Sequence, residues 1–256
     1  MILKISFVLI FLGLQLCAAL GDIITITNYS NWLTNANNER QTYPFLFTTA
    51  AYRNAAFNLV LQEANNVARE LNLQDNLPIT ESNILGAYIS PYGLSRFAGT
   101  VGNITTSNYT YYVSVDKKFS YLDKNEQEAD QLKFSKEFIW PMNLLDTNAA
   151  YQQATQWLAA VSMDVNGLNK DCHRYIQVVG PKFQGTNMCF VPIYSVFWTR
   201  GQLGQGSVAS VSFCAPTRTL LELHVEDSKY IHRKQLQFTN LDYLLLQTNS
   251  AIRTGQ

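Results

Sequence analysis

The chain has 256 residues, 19 Lys plus Arg against 19 Asp plus Glu, and a formal net charge of +0. That balance excludes a generic polyanion binder, which carries a basic excess. With 47% hydrophobic residues, 13 Gly and seven Pro, disordered, collagen-like and linker-type chains are also excluded.

The N-terminus reads as an address. Lys4 supplies one positive charge, and Ile5 to Leu16 is apolar but for Ser6, Gly13 and Gln15. Small residues follow at Cys17, Ala18 and Ala19. This is the order of a secretory signal peptide over residues 1–21, with cleavage after Ala19 or after Gly21. The apolar run is short for a bilayer span. An uncleaved anchor and acylation at Cys17 are the alternatives, although Leu16 stands where a lipoprotein signal wants a small residue. The protein is therefore expected to be secreted or periplasmic, with no membrane span once the signal is removed.

Residues 22–48 form a polar lead-in rich in Asn and Thr. A helix is expected from Thr49 to Asn72. Phe57, Val60, Leu61, Ala64, Val67, Ala68 and Leu71 recur there at three- and four-residue steps. Strand-like runs follow at Ile84 to Ser90, Phe97 to Ile104, Tyr109 to Val115 and Phe119 to Leu122, rich in aromatic and β-branched residues. These elements make a first helix-plus-sheet unit over 49–123. The charged stretch 124–146 is expected to be a solvated helix or linker.

The second part repeats the order over 147–250. Asp146, Thr147 or Asn148 caps a helix to about Met163, with Ala150, Tyr151, Ala154, Trp157, Leu158 and Val161 as its apolar stripe. Strands are expected at Tyr175 to Val179, Phe190 to Thr199, Val208 to Ala215 and Leu220 to Glu226. A short final helix is expected after Thr239. The fold class is α+β, in two similar halves, each a helix packed on an antiparallel sheet.

The second half resembles a PepSY-type domain, a cystatin-like arrangement. Ala150, Ala154 and Ala159 lie on the helix, and Tyr194, Val196, Phe197 and Trp198 on the strand. The run Ser210 to Arg218 occupies the position of the family's V-x-V-D-A-x-T-G hairpin. Ala215 and Thr217 match, while Cys214 replaces Asp and Arg218 replaces Gly. The whole chain is also similar to exported bacterial proteins. The PepSY resemblance implies a small binding or inhibitory module and supplies no catalytic residues.

Motifs for common chemistries are missing: there is no G-x-S-x-G elbow, H-E-x-x-H helix, P-loop or C-x-x-C pair. No cofactor is expected. Three His are present, at 173, 224 and 232. Cys172 and His173 are adjacent, so on an extended segment they point to opposite faces. Glu222, His224 and Glu226 share one strand face. They form a candidate metal set, because imidazole and carboxylate suit a divalent ion; a half-exposed strand face gives the same alternation.

Removing the signal leaves Cys172, Cys189 and Cys214, an odd number. Cys172 with Cys189 is the natural pair, because they flank one loop. Cys214 is expected to be a small buried hydrophobe. Fourteen Tyr, 14 Phe and four Trp raise a binding-face hypothesis on Tyr109, Tyr111 and Tyr112. Tyr joins a rigid apolar body to a polar tip and suits an unidentified peptide, protein or glycan. The leading expectation is an exported non-catalytic binding or inhibitory module; a secreted hydrolase and an envelope structural component are the alternatives.

Overall fold

The computed structural model describes residues 50–90, 100–114, 116, 118–134, 145–201, 206–234 and 236. The expected signal segment, the polar lead-in and the final helix lie outside them. The fold is mixed helix and antiparallel sheet. Helix α1 spans Ala50–Glu70 and is followed by β1 (Gly86–Ile89), β2 (Thr100–Thr105), β3 (Tyr109–Ser114) and β4 (Phe119–Lys124). Helix α2 spans Glu126–Lys133, α3 spans Thr147–Ala160 and α4 spans Val165–Asp171. Then come β5 (His173–Val179), β6 (Lys182–Gln184), β7 (Asn187–Phe190), β8 (Ile193–Thr199), β9 (Ser207–Cys214) and β10 (Thr219–Val225).

Eight strands form one sheet in the order β1-β2-β3-β4-β10-β9-β8-β5, while β6 and β7 make a separate hairpin. All pairings in the sheet are antiparallel. The seam is β4 against β10, where Asp123, Leu122 and Tyr121 face Glu222, Leu223 and His224. The two sequence units thus share one continuous sheet. No helix among the described residues is long and apolar enough to cross a membrane.

Antiparallel strands with one covered face alternate apolar and polar residues. Here that alternation runs across the whole sheet. In register lie Ala87, Ile104, Tyr111, Leu122, Leu223, Val211, Val196 and Ile176. This apolar row faces α1 and α3, whereas Ala129 of α2 packs on the other face, against Ile193 and Cys214. Tyr52, Leu59, Val60 and Val67 of α1, Ala154 and Leu158 of α3, and Trp198 and Phe213 of the sheet join it in one core. At β2 the backbone comes so close to β1 that a Cβ on Gly102 would stand 2.4 Å from the Tyr88 carbonyl oxygen. Only glycine fits there, and the β2–β3 register shifts beside it.

Arg233 ties the helices together behind the sheet. Its guanidinium is buried, donates from Nε to Glu63 at 2.6 Å, and pairs also with Glu70. It donates to the carbonyl of Val161, at the end of α3, at 3.2 Å. Asn65 pins the chain beyond α1: its side chain accepts from the Ile79 amide at 2.7 Å and donates to the Ile79 carbonyl at 3.0 Å.

Caps account for the other helices. Asp146 accepts from the Ala149 amide at 2.8 Å and starts α3. Asn125 caps α2, whose first turn carries Glu126 and Glu128 and whose last carries Lys133, in accord with the helix dipole. The charged stretch therefore contains a helix with work to do. Its Ala129, with Leu132 packed alongside, closes a second small core of Val191, Ile193, Cys214 and Leu221. Cys214 is fully buried there as a small hydrophobe.

Candidate functional site

Away from α1 the sheet presents two further registered rows. The first reads Tyr88, Asn103, Tyr112, Tyr121, His224, Ser210, Phe197 and Tyr175. Side chains directly opposite on antiparallel strands share a face and touch. Tyr112 and Tyr121 have ring centroids 4.7 Å apart, and Tyr121 meets His224 edge-on at 5.1 Å. At the far side Tyr175 stacks on Phe197 at 4.8 Å with 16° between planes. Burial of the imidazole lowers the His224 pKa, with Glu226 opposing, so the ring is neutral at neutral pH.

The second row is polar: Thr105, Thr110, Asp123, Glu222, Ser212, Ser195 and Gln177. Its hydroxyls bridge strands. Thr105 and Thr110 lie 3.0 Å apart, as do Ser195 and Ser212, and Ser212 donates to Glu222 at 3.4 Å. Asp123 and Glu222 face one another at the seam. Burial, and then Glu222, push the Asp123 carboxyl up to about 6, while Lys133 pulls it down. Glu222 is also raised by burial, with Ser212 opposing. Two carboxylates with little compensating charge resist ionising together.

At the loop end of the aromatic row a groove of about 480 Å³ opens between the β3–β4 turn and the chain leaving β10. Tyr112, Tyr121 and His224 supply its rings, and Asp116 and Glu226 its carboxylates. Ser114, Ser120 and Ser228 add hydroxyls. The described residues of the turn are tied together: Ser114 donates to Asp116 and, at 2.9 Å, to the Lys118 carbonyl. Lys118 pairs with Asp116 at 3.6 Å and donates to the Ile231 carbonyl at 3.2 Å.

The three tyrosines expected on one binding face are divided by strand alternation. Tyr109 is 2% exposed and Tyr111 0%, both beneath the helices. Tyr109 donates to the Leu220 carbonyl at 3.1 Å, and Tyr111 to Asp75. Of the three, Tyr112 alone stands on the open face. Its ring meets Tyr121, which in turn meets His224, a chain of contacts that the residue spacing within β3 does not reveal.

Glu222 and His224 lie on the open face as expected, Glu222 in the polar row and His224 in the aromatic one. Glu226 follows at the groove. Among the described residues no group of three His, Cys, Asp or Glu side chains is placed to hold a metal ion. Cys172 is a free thiol whose Sγ donates to Tyr230 Oη at 3.9 Å; the side chain of Cys189, on β7, lies outside the described residues. His173 is exposed at the start of β5, on the sheet's edge. The charged loop after β10 is internally paired: Arg200 holds Asp227 and Lys229 holds Asp171, each at 2.6 Å.

The chain matches no family model, no curated protein and no solved structure.

Proposed function

We propose that the chain is an exported, non-catalytic binding or inhibitory module whose ligand lies across the sheet face opposite α1. The observation that carries this reading is the registered aromatic row. Rings at Tyr88, Tyr112, Tyr121, His224, Phe197 and Tyr175 are half-buried and fill no core. Six rings at the surface of one sheet cost hydration unless something covers them. The signal-like residues 1–21 support export to the periplasm or medium. The order helix then meander, twice over, with the meanders meeting at β4 and β10, supports two similar, PepSY-like halves.

The test is a melting screen of the full chain against peptides, proteins and glycans, since a ligand of the native state raises Tm. A ligand of this face loses its shift on Tyr121→Ala and keeps it on Tyr175→Ala only if it is confined to the groove. A ligand indifferent to Tyr112→Ala, Tyr121→Ala and Tyr175→Ala sites the function elsewhere.

One observation favours a second reading, a secreted hydrolase. Asp123 and Glu222 are opposed across the seam with raised pKa values, and such carboxyl pairs serve general acid–base chemistry. That reading requires turnover of a test ester or glycoside that Asp123→Asn abolishes, with a rate limb near pH 6.

A further inference from the structure

We propose that the groove between the β3–β4 turn and the end of β10 binds an uncharged carbohydrate, its sugar rings lying on Tyr112 and Tyr121. This rests on the binding-face reading and names the ligand class. The groove lies in the size range of small-ligand sites, and its chemistry is that of a polyol partner. A pyranose presents C–H groups from its ring faces and hydroxyls from its rim. Tyr112 and Tyr121, 4.7 Å apart, offer a neighbouring pair of aromatic surfaces. Around them Asp116, Glu226, Ser120 and Ser228 offer acceptors and hydroxyl donors at the rim. From Tyr112 through Tyr121 to His224 the row crosses two strand spacings, roughly 10 Å, so a short oligosaccharide can follow it.

Other ligand classes fit less well. A peptide that docks by strand addition needs an edge strand. Here the groove lies over β3, β4 and β10, whose backbones pair on both sides. Nucleic acid and sulfated or phosphorylated ligands need cations, yet among the described lining residues there is no Lys or Arg, and carboxylates stand at Asp116 and Glu226. A lone cation meets an Asp116 already paired with Lys118.

The test titrates the full chain by calorimetry with cellohexaose, maltohexaose and N-acetylated chitohexaose, beside spermine, a heparin hexasaccharide and a mixed-sequence peptide. At least one neutral hexasaccharide is expected to bind. Tyr121→Ala should weaken it tenfold or more, as should Ser120→Trp, which fills the groove and keeps both tyrosines. Both variants should keep the parent's circular dichroism spectrum and a cooperative melt within a few degrees of it, which separates lost binding from lost folding. Binding of spermine or the peptide alone, abolished by Tyr121→Ala, overturns the carbohydrate proposal and retains the binding face. Silence from every probe overturns both.

Discussion

Carboxylates sit on both sides of this sheet, and the two sides treat them differently. Behind it, Glu63 is nearly fully buried but meets Arg233, which also takes Glu70 and the Val161 carbonyl. Burial still raises the Glu63 pKa against the pull of Arg233. On the open side, Asp123 and Glu222 face each other; Lys133 and the Lys124 amide pull Asp123 down, Glu126 adds to its rise, and the Ser212 hydroxyl lowers Glu222. The compensated group locks two helices together. The facing pair, raised by burial, costs stability at neutral pH instead of adding to it.

Breaking the helix-side lock has the largest expected effect. Arg233→Ala strands Glu63 without its cation and should cost about 3–5 kcal/mol in urea unfolding. Replacing Glu63 and Glu70 by Gln in the same chain should restore much of that loss; no recovery would show that Arg233 acts by packing instead.

Asp123→Asn tests the other side and should act with opposite sign. The folded carboxyl titrates at about 6 against an ordinary 3.8, so the folded state holds its proton more tightly. Stability therefore falls as pH rises from about 4 to about 6, and the deficit persists above that window. After allowance for partial solvent screening, Asn should recover on the order of 1–2 kcal/mol at pH 7 and flatten the profile between pH 4 and 6. An unchanged profile would place Asp123 in a wetter setting than the seam provides.

Tyr111→Phe deletes the hydroxyl that donates to Asp75 and should cost about 1 kcal/mol at neutral pH. Tyr121→Ala should cost least, under about 1 kcal/mol, because its ring is half-buried and fills no core. A Tyr121 variant as unstable as a core truncation would make the aromatic row structural and remove the contrast between the faces.

Much of this fold is legible in the residues. The stripe of α1, the Asp146 cap of α3, and the meanders β2 to β4 and β8 to β10 follow from periodicity and turn chemistry. Helix α4 and the β6–β7 hairpin do not. Seven residues with a single buried apolar position, Leu168, carry no measurable period, and three exposed residues at Lys182–Gln184 show no alternation. The site is harder still. Alternation along β3 already separates Tyr111 from Tyr112, but residue type alone groups them. The opposition of Asp123 to Glu222 depends on a register between distant strands, which spacing within either strand cannot encode.

The seam has a consequence for how the chain reaches this state. Strands β1 to β4 pair with neighbours in sequence, while β10 arrives only at the end of the second meander. Until then β4 is a bare edge with unpaired backbone groups. In a crowded nascent population, β10 of another copy can dock there in place of its own, giving an exchanged dimer. The same pairing that joins the sheet thus makes prompt, intramolecular closure the step on which a monomeric product depends.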